Sequence, residues 1–238
     1  QLAGVSELNL ADSTFNAREL EELGFRNTRV FPLVLDFDRL AIAPDRQVIR
    51  RFGDDQVNIL FVGRCVPNKK LEDALRAFYY FNRFVEPKSR FIHVGSFAGT
   101  ERYYYLLLAL ARELDMTKIH FAGSVPQSEL NAFYRCSSIF LCMSEHEGFC
   151  IPVIESMFHE LPVLAYSAAA VPETMDGAGI LFRQKNYEEL AEMMGLLARD
   201  RKLRAAIVRA QQERIARYRN RDLAGELKAL FGQSISKG

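Results

Sequence analysis

Two carboxylates, Glu147 and Glu155, flank a turn in the stretch Ser144-Glu145-His146-Glu147-Gly148-Phe149-Cys150-Ile151-Pro152-Val153-Ile154-Glu155. Pro152 stands where a first helical residue belongs, because its φ is already helical and its missing N–H has no partner to lose there. Ile154, Met157, Phe158 and Leu161 then recur at helical spacing. Glu147 is therefore expected in a loop and Glu155 in the first turn or so of a helix. Unpaired backbone N–H groups at a helix start attract anions. Carboxylates accept hydrogen bonds from hydroxyls without donating any. The combination suits a ligand that is part phosphate and part sugar. A solvated loop acid beside an acid favoured by the helix dipole is the alternative reading of the same residues. His146 would suit acid–base work, but no nucleophile accompanies it, and it reads as a loop residue.

A second cluster is Gly63-Arg64-Cys65-Val66-Pro67-Asn68-Lys69-Lys70. Arg presents a planar fork that matches phosphate oxygens, and Lys adds a movable point charge. An ordinary basic loop fits these residues too, although cations at a helix start oppose its dipole and call for an anion. The spacing is neither that of a P-loop nor that of GxGxxG, which disfavours an ATPase or a standard dinucleotide site. Gly95-Ser96 and Gly123-Ser124 stand at comparable places. Glycine there serves tight turns or close approach to a ligand. Ser167-Ala168-Ala169-Ala170-Val171-Pro172-Glu173 reads as a small-residue loop in which Glu173 is the polar candidate.

These residues need elements to position them. Strands are expected at 58–63, 90–95, 119–123, 138–143, 162–166 and 179–182. Helices are expected at 69–85, 101–114, near 127–134, from Pro152 onward, and two or three times between Tyr187 and Phe231. Near-continuous apolar strands alternating with helices predict an α/β, doubly wound, Rossmann-like parallel sheet covered on both faces. Ligands of such sheets bind beyond the carboxyl ends of the strands, where both clusters fall. The first 56 residues are too short for a core of their own. They read as an extra βα layer or the tail of a neighbouring domain. Residues 45–56, polar with Gly53, are the expected linker between a remnant at 1–44 and a main domain at 57–220. A C-terminal helix and tail occupy 221–238.

The 238 residues are 49% hydrophobic with net charge +1, which supports a sizeable core and gives no general reason to expect nucleic acid or an anionic membrane. No apolar run reaches the length of a spanning helix. Cys65, Cys136, Cys142 and Cys150 form no CxxC pair, and the four histidines show no ligand spacing, so no metal site and reduced, cytoplasmic thiols are expected. The N-terminus has neither signal-peptide character nor an initiator Met, from which a longer parent chain is expected.

Taken in order, Gly63-Arg64 with Lys69, Val94-Gly95-Ser96, Phe121-Ala122-Gly123-Ser124-Val125, Ser144, Glu147-Gly148-Phe149, Pro152 with Glu155, Leu161-Pro162-Val163 and Val171-Pro172-Glu173 resemble the C-terminal half of a GT-B glycosyltransferase of retaining family 4, the glycosyl transferases group 1. The resemblance spans about residues 57–182. The segment from Ala11-Asp12-Ser13 to Asp36-Phe37 looks like the end of that family's N-terminal domain and its crossover.

The resemblance implies roles. Arg64 and Lys69 would hold the diphosphate of a UDP-, GDP- or ADP-sugar in place of a metal or any cofactor. Glu155 would take the ribose hydroxyls and Glu147 those of the transferred sugar. The amides of Phe149, Cys150 and Ile151 would face sugar and phosphate. Gly63 and Gly95 would allow close approach, and backbone near Val125 would meet the base. The acceptor, whether glycan, lipid or small molecule, would bind a missing N-terminal domain, through which the protein could sit peripherally at a membrane. The alternative is a non-catalytic nucleotide or sugar-nucleotide binding module. By the same resemblance, Cys150 stands where the family usually has glycine, and Ala169 and Ala170 where its loop is often glycine-rich, departures expected to narrow the donor pocket without removing a charged contact.

Overall fold

The computed structural model describes residues 2–235, with side chains to residue 232, so the tail after Ile235 lies outside the described residues. In chain order, β1 (Asn9–Ala11), α1 (Thr14–Glu22) and β2 (Thr28–Val30) form a small parallel βαβ unit. Next come α2 (Phe37–Leu40), α3 (Arg46–Phe52), β3 (Val57–Val62), α4 (Leu71–Tyr80), β4 (Ser89–Val94), α5 (Glu101–Glu113) and β5 (Ile119–Gly123). The chain continues through α6 (Gln127–Cys136), β6 (Ile139–Cys142), α7 (Ile151–Phe158), β7 (Val163–Tyr166), α8 (Val171–Met175) and β8 (Ile180–Phe182). Helices α9 (Tyr187–Arg199), α10 (Arg201–Arg219) and α11 (Leu223–Ile235) follow.

Strands β3 to β8 make one six-stranded parallel sheet in the order β5-β4-β3-β6-β7-β8. One face packs Leu60, Ile92 and Phe140 against α3, α6, α7 and the end of α10. The other packs Ile59, Phe61, Phe91 and Leu141 against α4, α5 and α9. Burial on both faces explains why these strands are apolar at most positions, with Asn58, Ser89 and His93 as buried polar exceptions. The chain reverses direction across the sheet between β3 and β6, so the loops after these strands diverge and leave a crevice at their carboxyl ends. No helix among the described residues is long and apolar enough to cross a membrane.

Two loop expectations differ. Residues 45–56 hold α3, not a flexible linker: Asp45 caps the helix at the N–H groups of Gln47 (2.8 Å) and Val48 (2.9 Å), and Val48 and Phe52 enter the core. Buried Asn58 then fixes its end, donating to the carbonyls of Phe52 (2.8 Å) and Cys136 (2.7 Å). The small-residue loop at 167–173 contains the start of α8, where Pro172 provides a favourable first turn.

The three strand-end glycines lie on adjacent strands and are tied together. Gly63 N–H donates to Val94 O, and Gly95 N–H to Gly123 O, each at 2.9 Å. Gly95 has φ +156°, and a Cβ there would lie 1.8 Å from Gly63 O. Next to it, His93 is buried against Phe61 and Phe121 and donates from Nε2 to Gly63 O at 2.9 Å. Burial lowers its pKa from 6.5 to about 4.

Two outcomes follow from this strand edge. Gly95→Ala must move backbone and should cost at least about 2 kcal/mol of stability in urea unfolding. His93 is neutral when folded, so the unfolded chain binds its proton first as pH falls. Stability from this group is full above pH 6.5 and is lost between 6.5 and about 4. In pH-dependent urea unfolding, His93→Gln should flatten that loss, and an unchanged slope would show that His93 does not carry it.

Candidate functional site

The site assembles from the loops after β3 and β6 and the start of α7. After β3, Pro67 opens a short helical turn, and Lys70 at φ +53° redirects the chain into α4, leaving Lys69 facing the β6 loop. Lys69 Nζ forms an ion pair with Glu147 Oε1, with both side chains largely buried. The two loops are stitched again nearby: Asn68 O accepts from Glu145 N–H at 2.9 Å, and Asn68 Nδ2 donates to His146 O at 3.2 Å. Arg64 is exposed, and its guanidinium has no side-chain partner among the described residues.

Beneath these loops, Lys185 Nζ bridges Asp73 (2.7 Å) and Glu145 (2.8 Å) while lying over the Tyr166 ring. Lys70 adds a 3.2 Å contact to Glu145. Hydrogen bonds from Lys185, then Lys70, favour the Glu145 carboxylate and lower its pKa. This network braces the Glu147 loop from below.

Cys150, at φ +66°, is the residue before α7, and its left-handed backbone turns the chain into the helix. The N–H groups of Phe149, Cys150 and Ile151, which precede or open α7, donate to no partner among the described residues. One turn into α7, Glu155 is buried and bound on both oxygens: Arg39 Nη2 donates to Oε1 at 2.9 Å and Tyr134 Oη to Oε2 at 2.8 Å. Burial, then the Glu155 charge, pushes the Tyr134 pKa well up, so the phenol keeps its proton to donate.

The structure thus brings Gly63, Arg64, Lys69, Glu147, Cys150, Ile151 and Glu155 to one sheet edge, with Gly95 and Val125 at the neighbouring strand ends. Several side chains have other duties. The Phe149 ring is buried beside Tyr218, and its carbonyl accepts from Thr174 Oγ1. Glu173 accepts from Thr14 N–H (2.8 and 3.0 Å) and Thr14 Oγ1 (3.0 Å), so it caps α1 and docks the N-terminal unit. The Cys150 thiol turns toward the sheet, where its Sγ lies 3.9 Å from Cys142 Sγ. Their contact favours the Cys142 thiolate, lowering that pKa, and raises that of Cys150.

The N-terminal unit lies over the Glu147 loop. A Cβ on Gly148 would meet Asn16 Nδ2 at 2.5 Å, and Phe15 packs edge-on against His146. Between them opens a cleft of about 1030 Å³ lined by Asp12, Asn16, Glu19, Leu33, His146 and Gly148, among others. Neither Arg64 nor Glu155 lines it. Arg39 and Tyr134 were not anticipated from sequence. They lie 116 and 21 residues from Glu155 and carry no local motif.

The family model for glycosyl transferases group 1 matches residues 44–214. The sulfoquinovosyl transferase SQD2 of Arabidopsis thaliana is 28% identical over 153 residues, covering 53% of this chain and 30% of that protein. The D-inositol 3-phosphate glycosyltransferase of Thermobispora bispora is 28% identical over 250 residues, covering all of this chain and 58% of that protein. This chain therefore spans under two thirds of the length of these relatives. The crystal structure of Anabaena HepE in complex with UDP-glucose superposes with a TM-score of 0.81 at 18% identity, covering 98% of this chain and 64% of that one. That likeness shows the fold, the C-terminal sheet domain of a GT-B protein with part of what precedes it. With the family model matching most of its length, the chain belongs to the glycosyl transferases group 1 family.

Proposed function

We propose that this chain is the donor-binding part of a retaining glycosyltransferase that takes a sugar from a UDP-, GDP- or ADP-sugar without a metal or other cofactor. The observation that carries the reading is the Lys69–Glu147 ion pair, which joins the cationic loop after β3 to the acidic loop after β6 at the sheet's switch point. The UDP-glucose bound to HepE supports the same class of ligand.

Under this reading Arg64 is the cation open to the diphosphate, because Lys69 is already engaged by Glu147. The unpaired amides of Phe149, Cys150 and Ile151 add fixed dipoles. Charge building on the departing nucleoside diphosphate is stabilised by groups that need no rearrangement. Glu147 keeps its carboxylate beside Lys69 for hydroxyls of the transferred sugar. Glu155 offers its oxygens to the ribose, with the half-exposed Arg39 yielding Oε1 and Tyr134 keeping Oε2 in place. The base would lie along the backbone near Val125. A glycan, lipid or small-molecule acceptor would require a further domain.

A thermal-shift panel of UDP-, GDP- and ADP-sugars should find one that stabilises the chain, by about 2.7 kcal/mol at 100 times its Kd. Each charge-assisted bond contributes about 1.5–3 kcal/mol, so Arg64→Ala and Glu155→Ala should each weaken that donor about tenfold to a hundredfold. Undiminished binding in both variants would overturn the site. The 238 residues alone should bind the donor without transferring its sugar to any acceptor, and robust turnover by them would contradict that part of the proposal.

A further inference from the structure

Behind the Glu147 loop, three potential ligands converge that the donor reading does not use together. Cys142 Sγ, Cys150 Sγ and a Glu147 carboxylate oxygen all lie within 4.8 Å of one another, and all three residues are buried. Cys142 ends β6 and Cys150 opens α7, so the loop between them is folded back on itself. Two thiolates on a tetrahedral zinc, each about 2.3 Å from the ion, stand about 3.8 Å apart. The two sulfurs are already 3.9 Å apart. Glu147 Oε1 holds Lys69, and Oε2 has no hydrogen-bond partner among the described residues. A carboxylate shift of about an ångström completes three ligands of a zinc-type shell, with the fourth position open.

We propose that Cys142, Glu147 and Cys150 form a binding site for one soft divalent cation of the zinc class. Two sulfurs and one oxygen select such an ion over magnesium or calcium, which take oxygen ligands. Binding displaces the two thiol protons to solvent. The resulting two thiolates and one carboxylate carry three negative charges, balanced by the cation and the adjacent Lys69. Glu147 and Cys150 retain 9% and 6% exposure, which places the entry on the loop side. The ion would fasten the Glu147 loop to the end of β6. This assignment goes beyond the donor reading and shares only Glu147 with it, since the two sulfurs converge through the β6–α7 connection alone.

Cadmium is the direct probe, because its thiolate complexes absorb in the ultraviolet. Titrated into the full chain kept reduced with a phosphine, Cd2+ should give a charge-transfer band that saturates at one ion per chain, and Zn2+ should displace it. Cys142→Ala and Cys150→Gly should each weaken binding at least tenfold. Cys150→Gly is the safer variant, since glycine suits φ +66°. Glu147→Gln should also weaken binding at least tenfold while keeping the band. Cys65→Ser with Cys136→Ser should leave it intact. No saturable band, a band that survives both Cys142→Ala and Cys150→Gly, an affinity unmoved by Glu147→Gln, or a band lost with Cys65 and Cys136 would overturn the site.

Discussion

The Lys69–Glu147 ion pair is the contact on which the site's geometry depends. Both side chains are withdrawn from water, and a buried charge is tolerated only when paired. Removing one partner of such a pair typically costs about 3–5 kcal/mol, because the other remains buried and uncompensated. The partners sit on loops after β3 and β6, adjacent strands whose connections leave in opposite directions. Without a bond across the gap, nothing in the sheet ladder would fix one loop against the other. Asn68 and the Lys185–Glu145–Lys70 network add to that bond from below.

The same logic explains how the N-terminal unit is held. It is too small for a core of its own, and polar contacts at the site hold it, together with Leu33, Leu35 and Phe37, which pack on the main core. Glu173 caps α1, Asn131 donates to the carbonyls of Arg39 (3.2 Å), Leu40 (3.2 Å) and Ile42 (2.9 Å), and Tyr218 bonds Leu33 O. Arg39 leaves the segment after β2 to reach Glu155. The first 42 residues also expose Leu2, Val5, Leu10, Leu23, Val30, Val34 and Ile42, an apolar surface that a two-stranded sheet cannot cover. The unit is thus tied to the donor edge by hydrogen bonds while much of its apolar surface faces outward.

How much of this was readable depended on the range of the forces involved. Strands β3 to β7 were legible because burial on both faces makes each a near-continuous apolar run ended by a polar or glycine turn. The placement of Arg64, Lys69, Glu147 and Glu155 at one edge followed from that alternation alone. Helix α3 leaves little trace in the sequence because seven residues with three arginines carry only Val48, Ile49 and Phe52 as an apolar face. What makes it a helix is packing on α6 and the Asn58 clamp. The Arg39 and Tyr134 contacts to Glu155 were invisible for the same reason, since each is made by tertiary structure. Glu173 stands out in the sequence as the polar residue of a small-residue loop, but its partner, Thr14, lies 159 residues away.

Cys150 shows how a backbone constrained for one purpose leaves its side chain free for another. Its left-handed backbone costs about 1–2 kcal/mol in a residue with a Cβ, yet the conformation persists at φ +66° because its neighbours determine it. Pro152 fixes the start of α7, Thr174 holds the Phe149 carbonyl, and Ala170 N–H holds the Glu147 carbonyl at 3.2 Å. The Cys150 side chain goes the other way, its Sγ lying 3.9 Å from that of Cys142. A left-handed position that turns a loop into a helix thus leaves its side chain free to pack on the sheet side.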